Sequence, residues 1–309
     1  AASDVYKRQV YLDAVFYPNI YKREEIFRQE GWNYHLEQKE GPLKYNGVVY
    51  NEMKGAFSSP DEVLEREIMN HLFPDTTYGC ESGGDPKNIP DLTYENFLNF
   101  HRTYYHPSNS YIYLYGNMDM EEKLAFLDEH YLSHFDYLDV DSVIQEQKAF
   151  GACRDVTLEY PVAENEGEED NTYLSYNMVV GNAADSQMAM AFEVLDYALL
   201  SAPGAPLKQA LLDVKAGKDV YGSYDDGILQ PYFTVIAKGS NPDRKEEFVS
   251  VIRQVLGDIV KNGIDKKAVE AGINYFEFRY READFSSYPK GLMYLSLIHI
   301  SEPTRLALI

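Results

Sequence analysis

The sequence predicts an α+β fold, in which helices and strands are mixed without a regular strand–helix–strand repeat. Two long amphipathic segments follow each other directly at 244–262 and 266–283, whereas the segments with alternating apolar residues are widely separated. Helix pairs combined with strands that need not be sequence neighbours are typical of α+β proteins with mixed or antiparallel sheets. Because 45% of the 309 residues are hydrophobic, the chain can bury a substantial core.

Helices in the first half begin or end at recognisable signals. Pro18 ends a short apolar helical segment, and Gly31 closes a short helix that begins at Lys22. Pro60 suits the first turn of a charged amphipathic helix, and Thr93 is a good N-cap for the next one. The predicted helices span 10–18, 22–31, 46–55, 60–73, 93–105 and 121–132, and the predicted strands span 32–37 and 110–115.

The second half has the same kind of pattern, with a strand, two helices, another strand and further helices. This similarity hints at a duplicated unit. The predicted strands span 172–180 and 232–238, and the predicted helices span 184–200, 205–215, 244–262 and 266–283.

A change in composition between the halves predicts two domains. The first domain takes in residues 10–140 and the second residues 171–294, and an acidic connection spans 141–170. That connection holds Glu164, Glu166, Glu168, Glu169 and Asp170. We interpret the cluster as a solvated loop, although attraction of basic peptides is the alternative.

Both ends of the sequence are predicted to be non-native. Residues 1–9, AASDVYKRQ, and residues 295–309, which begin LSLIHISEPTR, look like translated sequencing adapters. On this interpretation both domains are cut short, and His299 is not a ligand candidate.

Charge and cysteine content narrow the classes of function. A net charge of −22 disfavours nucleic acid and anionic membrane surfaces as partners. The chain has no apolar run of membrane-spanning length. Its two cysteines, Cys80 and Cys153, form no Cys-x-x-Cys pair, so a thiolate zinc site is not expected. Lone cysteines fit a reducing compartment, and we expect a bacterial cytoplasmic location.

Four strings in the sequence together resemble one enzyme family. They are GVVYNEMKGAFSSPD from Gly47, LFPDTTYGCESGGDPKNIPDLTYENFLNFHRTYYHPSN from Leu72, FEVLDYALLSAPGAPLKQALL from Phe192 and AVEAGINYFEFRYRE from Ala268. In this order they resemble the presequence-protease branch of the pitrilysin/insulinase family of zinc metallopeptidases. The resemblance implies two pitrilysin-like α+β domains, of which 10–140 is the metal-site domain and is incomplete.

The resemblance also implies a metal ligand. The family has an inverted zinc motif, His-x-x-Glu-His, whose glutamate is the general base, and a third ligand is a glutamate on a later helix. Glu52 matches that third ligand. Helical spacing predicts that Glu52 lies beside a buried stripe that includes Val48, Val49 and Met53. The metal ligand candidate in this sequence is therefore Glu52, and the implied cofactor is zinc.

The rest of the motif is not found in the sequence. The nearest pair of histidines, His101 and His106, is five residues apart, which does not place both on one helical face. We expect the motif upstream of Val10, and we expect no catalytic residue and no tight zinc binding in this chain alone. By resemblance, the full protein hydrolyses unfolded oligopeptides in a chamber closed by a second half-molecule. Its implied partners are those peptides, the missing N-terminal segment and the missing C-terminal half.

Two other functions stay open. A non-catalytic scaffold or partner subunit of the same family is one, and an acidic peptide-binding module is the other. The remaining polar features have plain structural interpretations. We predict that four histidines are structural or solvent-facing, namely His35, His71, His101 and His106. Residues 82–86 are predicted to form a tight turn that shapes the active-site wall. A second turn is predicted at Asp225 and Asp226, before Gly227.

Overall fold

The computed structural model describes residues 2–162, 167–282, 285 and 287–296. Helices dominate, and the strands form one two-stranded and one three-stranded sheet, both antiparallel. This arrangement confirms the α+β class. The chain forms two compact units: unit 1 is Ala1–Glu67 with Thr77–Gln145, and unit 2 is Ile68–Thr76 with Glu146–Ile309.

Unit 1 consists of helices around one short β-hairpin. Its helices are α1 (Ala2–Phe16), α2 (Glu24–Glu30), α3 (Val48–Ala56), the first part of α4 (Pro60–Leu72), α5 (Tyr94–Tyr104) and α6 (Met120–His130). The hairpin pairs β1 (Asn33–His35) with β2 (Lys44–Asn46), so that Tyr34 lies opposite Tyr45. As predicted, Thr93 caps α5, and its side chain and that of Asn96 form a reciprocal capping box.

Two apolar clusters hold unit 1 together. Leu12 and Phe16 of α1 pack against Leu127 and Tyr131 at the end of α6. The second cluster consists of Phe27, Trp32 and Ile89, against which the inner face of α3 packs. This second cluster fixes the helix that carries Glu52.

The strand predicted at 110–115 is wrong. These residues form no β-ladder with any part of the chain that the structure describes, and Tyr111 is 66% exposed. A strand is stable only when its backbone groups pair with a neighbour, so β-propensity alone is not sufficient. The prediction also missed β2, because three residues are too short for a recognisable alternation.

Unit 2 packs helices against one face of a three-stranded sheet with the order β3-β5-β4. Its strands are β3 (Thr172–Val179), β4 (Asp219–Asp225) and β5 (Tyr232–Ser240), and its helices are α7 (Ser186–Asp196), α8 (Pro206–Asp213), α9 (Lys245–Asn262), α10 (Lys266–Glu282) and α11 (Lys290–Ser296). Its core includes Leu207, Leu211, Val220, Phe248 and Ile252, all of which are fully buried.

The sequence prediction for unit 2 missed β4 and simplified α7. Gly222 interrupts the apolar pattern of β4, but this strand pairs with β5 along its whole length, and the main chain of Thr234 leaves no room for a larger side chain there. The turn after β4 is confirmed, because Asp225 Oδ1 accepts a hydrogen bond of 2.9 Å from Gly227 N. The segment predicted as one helix at 184–200 ends in a wider π-type turn at Tyr197–Ser201.

Some predictions concern residues that the structure does not describe, or are left open by it. Glu164 and Glu166 of the acidic cluster and His299 lie outside the described residues. Asp170 is more than a solvated acid, because it accepts a hydrogen bond from Asn241 and pairs with Lys218 at 3.3 Å. The predicted domain limits and the non-native ends remain predictions.

Candidate metal-ligand site

Helix α3 begins at a position that requires glycine. Gly47 has φ of 153°, and a Cβ atom there would lie 2.2 Å from the carbonyl oxygen of Gly31. Beyond this point, Asn51 Nδ2 donates a 2.9 Å hydrogen bond to Asn46 Oδ1. These contacts fix where the helix starts, and therefore where Glu52 lies, one turn later.

The inner face of α3 packs on the second cluster of unit 1. Val49, Tyr50 and Met53 contact the buried residues Phe27, Trp32 and Ile89. The long loop before α5 also reaches this face, because a Cβ atom on Gly83 would lie 2.2 Å from Met53 Sδ. The backbone of α3 is thus held on its inner side by α2, the hairpin and this loop.

Glu52 lies on the exposed side of α3, which corrects the expected inward orientation. Successive helical residues are rotated by about 100°, so Val49, Tyr50 and Met53 share the inner side, while Val48 and Glu52 face away from it. No described residue forms a hydrogen bond or ion pair with the Glu52 carboxylate. The side chain is therefore open to a ligand or to another segment of protein.

The residues near Glu52 do not fit a zinc ion by themselves. Zinc in peptidases takes three protein ligands and a water molecule. Among the described residues, no group of three or more His, Cys, Asp or Glu side chains could hold a metal ion. Since Glu52 provides a single carboxylate, no catalytic step through a metal can be derived from this chain. Its assignment as a ligand remains a prediction.

Of the four histidines singled out in the sequence, two have structural roles in unit 1. His101 uses both ring nitrogens, Nδ1 with Tyr21 Oη at 2.8 Å and Nε2 with the carbonyl oxygen of Val15 at 2.9 Å. His106 Nδ1 accepts a 3.1 Å hydrogen bond from Ser108 N and caps a short 3₁₀ turn.

The other two histidines lie in regular secondary structure. His35 is an exposed residue of β1, and His71 lies half-buried in the last turn of α4.

The loop at 82–86 is a tight turn, as the sequence predicts. Gly84 has φ of 89°, which favours glycine. Asp85 Oδ1 accepts a 2.8 Å hydrogen bond from Lys87 N, and the Asp85 carbonyl oxygen accepts one from Asn88 N. Its role beside an active site remains a prediction.

The sequence prediction missed an aromatic group next to α3. Four rings on the hairpin and at the start of α3 form one connected group, in which the centroids of contacting rings lie 5.5–5.8 Å apart. They belong to Trp32, Tyr34, Tyr45 and Tyr50. The spacing Trp32–Tyr34 was the signal that could have revealed it, because alternate residues of a strand lie on one face. Elsewhere, none of the described helices is long and apolar enough to cross a membrane.

Comparison with known proteins identifies the family to which this chain belongs. A family profile described as the peptidase M16 inactive domain matches residues 91–276, which is more than half of the chain. The chain belongs to the peptidase M16 family. This confirms the resemblance to pitrilysin-type peptidases on which Glu52 was singled out, although Glu52 itself precedes the matched residues.

Proteins similar to this chain come from bacteria and plants. The chain is 53% identical over 285 residues to Protein HypA of Clostridium perfringens, covering 92% of this chain and 29% of the relative. It is 39% identical over 287 residues to Presequence protease 1, chloroplastic/mitochondrial, of Arabidopsis thaliana, covering 92% and 26%. The chain thus spans less than a third of the length of these relatives.

Solved structures support the fold. The peptidase M16 inactive domain from Pseudomonas fluorescens aligns with a TM-score of 0.59 at 18% identity, covering 82% of this chain and 58% of that one. A protease from Helicobacter pylori aligns with a TM-score of 0.56 at 17% identity, covering 84% and 62%.

Proposed function

We propose that the protein to which this sequence belongs is a zinc-dependent endopeptidase that hydrolyses unfolded oligopeptides inside a closed chamber. The observation that carries the proposal is Glu52, an unpaired carboxylate on the open side of a helix whose start and inner face are fixed. The presequence-protease names of several relatives support the peptidase activity. Glu52 would be one of three protein ligands to zinc, and the metal would polarise the scissile carbonyl and activate water.

The chain alone would have neither tight zinc binding nor peptidase activity, because one carboxylate gives too few ligands. The partners needed for function would be the remaining parts of the same protein and the peptide substrate. A bacterial cytoplasmic location is also our proposal, supported by two exposed free cysteines.

A non-catalytic role is the second candidate, because the matched family profile describes an inactive domain. In that case the protein would act as a scaffold or partner subunit. The presence of Glu52 argues for the peptidase candidate, and a chain in which the other ligands are present decides between the two.

A chimera can decide between the two. Residues 10–294 would replace the matching stretch of Protein HypA, which is 53% identical. We expect the chimera to hydrolyse an unfolded peptide, the activity to be lost with a chelator and restored by zinc, and Glu52→Gln to lower it by at least about 100-fold. Glu62→Gln changes an exposed glutamate on the next helix and controls for the loss of charge.

The outcomes separate the candidates clearly. Retained activity in Glu52→Gln would overturn the ligand assignment. If HypA hydrolyses the peptide and the folded chimera does not, the non-catalytic candidate is favoured for this sequence. Zinc-dependent hydrolysis by the isolated chain would contradict the proposal that the chain alone is inactive.

A further inference from the structure

The last residues of α4 belong to unit 2, although this helix begins in unit 1. Unit 2 consists of Ile68–Thr76 together with Glu146–Ile309. Phe73, which directly follows α4, is fully buried, and its ring makes an edge contact with the ring of Tyr232 on β5 at 6.2 Å. A short segment from the first half of the sequence therefore completes the packing of unit 2.

A buried glutamine holds this segment in place. Gln147 Oε1 accepts a 2.9 Å hydrogen bond from Asp75 N, and its Nε2 donates a 2.7 Å hydrogen bond to Asp75 Oδ2. The main chain of Gln147 is fixed in turn, because it exchanges hydrogen bonds of 2.6 and 3.2 Å with the side chain of Gln230. Gln147 is only 7% exposed, so the loss of a partner would leave a buried polar group unpaired. We call the pair of Gln147 and Asp75 the clasp.

The loop after the clasp has a second fixed end, which lies in unit 1. Residues 74–88, which we call the strap, connect two buried side chains, those of Phe73 and Ile89. Ile89 belongs to the second cluster of unit 1, on which the inner face of α3 packs. Gly83 of the strap also lies against the side chain of Met53 on α3, too closely for a Cβ atom. The strap thus connects the clasp to the support of α3.

The backbone of the strap is folded into successive turns, which limit its slack. Each turn is closed by a main-chain hydrogen bond of 2.8–3.1 Å. These bonds run from Cys80 N to the carbonyl oxygen of Thr77, from Gly84 N to that of Glu81, and from Asn88 N to that of Asp85. Turns with such bonds restrict the conformations open to a loop. A displacement at the first end of the strap is therefore not simply absorbed along its length.

We propose that the clasp controls how firmly the strap supports α3. While the hydrogen bonds between Gln147 and Asp75 are made, the strap is held at both ends and presses on the inner face of α3. When they open, the strap and the cluster around Ile89 loosen together, because the two are joined by one continuous stretch of packed and hydrogen-bonded chain. The device goes beyond the proposed peptidase function, since it needs neither zinc nor a substrate.

Trp32 reports on the far end of the strap, because it packs with Ile89 and is the one tryptophan in the sequence. Acrylamide quenching of its fluorescence, measured on the full chain, reports how accessible that cluster is. Asp75→Ala removes the acceptor of Gln147 Nε2, and we expect it to raise the quenching constant about twofold through local opening. Asp75→Asn should keep the wild-type value, because asparagine Oδ1 still accepts that hydrogen bond.

Gln147→Glu makes the same test reversible. At about pH 7 the new carboxylate faces that of Asp75 and repels it, so the quenching constant of Trp32 should rise as in Asp75→Ala. At about pH 5 the two carboxyl groups share a proton, which restores a donor between them, and the quenching constant should return towards the wild-type value. Gln145→Glu makes the same change at a nearby exposed position and should leave quenching unchanged at both pH values.

Unchanged quenching of Trp32 in folded Asp75→Ala would overturn the proposal, even if that variant melts at a lower temperature. A clasp that only stabilises unit 2 would change the melting temperature and not the access to Trp32. Equal quenching in Asp75→Asn and Asp75→Ala would also overturn it, as would an effect of Gln147→Glu that Gln145→Glu reproduces or that persists at the lower pH. Asp75 is exposed, so its variants decide the outcome if Gln147→Glu does not fold.

Discussion

Asp196 is a carboxylate in an unfavourable position at the end of α7. Its Oδ2 atom accepts a hydrogen bond of 3.3 Å from Ser201 Oγ, whereas Oδ1 is buried and has no partner among the described residues. Burial raises the pKa of Asp196 to about 6, although the Ser201 hydrogen bond acts in the opposite direction. The folded chain therefore holds this proton more tightly than the unfolded chain does.

We predict that Asp196→Asn stabilises the protein at neutral pH. The folded-state pKa is raised, so the wild-type residue favours folding when protonated, and its contribution is lost as pH rises from about 4 to about 6. Because the side chain is half-buried and partly screened, the gain at pH 7 should be about 1–2 kcal/mol in the free energy of unfolding. Urea unfolding at pH 4 and pH 7 measures the difference.

The same substitution at Asp258, an exposed residue of α9, controls for the loss of one negative charge. A variant at Asp196 that is no more stable than the wild type at pH 7, or whose gain is as large at pH 4, would contradict this account of the half-buried carboxylate.

At the scale of elements, α3 shows that glycine at the two ends of one helix has different consequences. At its start, Gly47 has positive φ and approaches the main chain of Gly31 too closely for any side chain. Near its end, Gly55 has open space, because a Cβ atom added there would meet no other atom within 4 Å. The fold of the chain requires glycine at position 47. Gly55 lowers the stability of the helix, and no close contact requires glycine there.

We therefore predict opposite effects of two glycine-to-alanine substitutions. Gly55→Ala should raise the free energy of unfolding by up to about 1 kcal/mol, because alanine is the better helix former. Gly47→Ala should lower it by about 1–3 kcal/mol, because of backbone strain and the clash with Gly31. Denaturant midpoints measure both, and each variant is the other's control. If both substitutions changed the free energy of unfolding equally, the space around each glycine and its φ angle would not determine the effect of alanine.

At the scale of the whole molecule, two surface properties oppose each other. The net charge of −22 keeps copies apart, whereas residues 110–115 expose apolar side chains on a backbone without a β-partner among the described residues. Within 107–118 there is no charged residue at all. Unpaired apolar segments of high β-propensity are sites of edge-to-edge association.

We predict that the isolated chain aggregates through 110–115, most strongly when salt screens its net charge. Tyr115→Lys should reduce light scattering severalfold, because a lysine on an open edge blocks pairing. Tyr137→Lys places the same charge on another exposed tyrosine and should have a smaller effect. A monodisperse wild-type chain at high salt, or equal protection by both substitutions, would contradict the role of this segment.

The helices and their limits were largely predictable from sequence, because their signals are local. Thr93 at the start of α5, Pro60 in the first turn of α4 and Gly263 after α9 act within one turn of the helix. The strands were less predictable, because β4 is specified by its pairing with β5, and 110–115 has the composition of a strand but no partner in the described part of the chain.

The sequence by itself determined the α+β class, the family and the identity of Glu52 as the ligand candidate, because these depend on residue type and order. Only the tertiary structure decided that Glu52 faces solvent, that Tyr34 and Tyr45 share one exposed face, and that Asp196 is a half-buried carboxylate with a raised pKa. The physical reason is that exposure, pairing and desolvation depend on which distant segments pack against a side chain. The spacing of residues along one helix or strand does not contain that information.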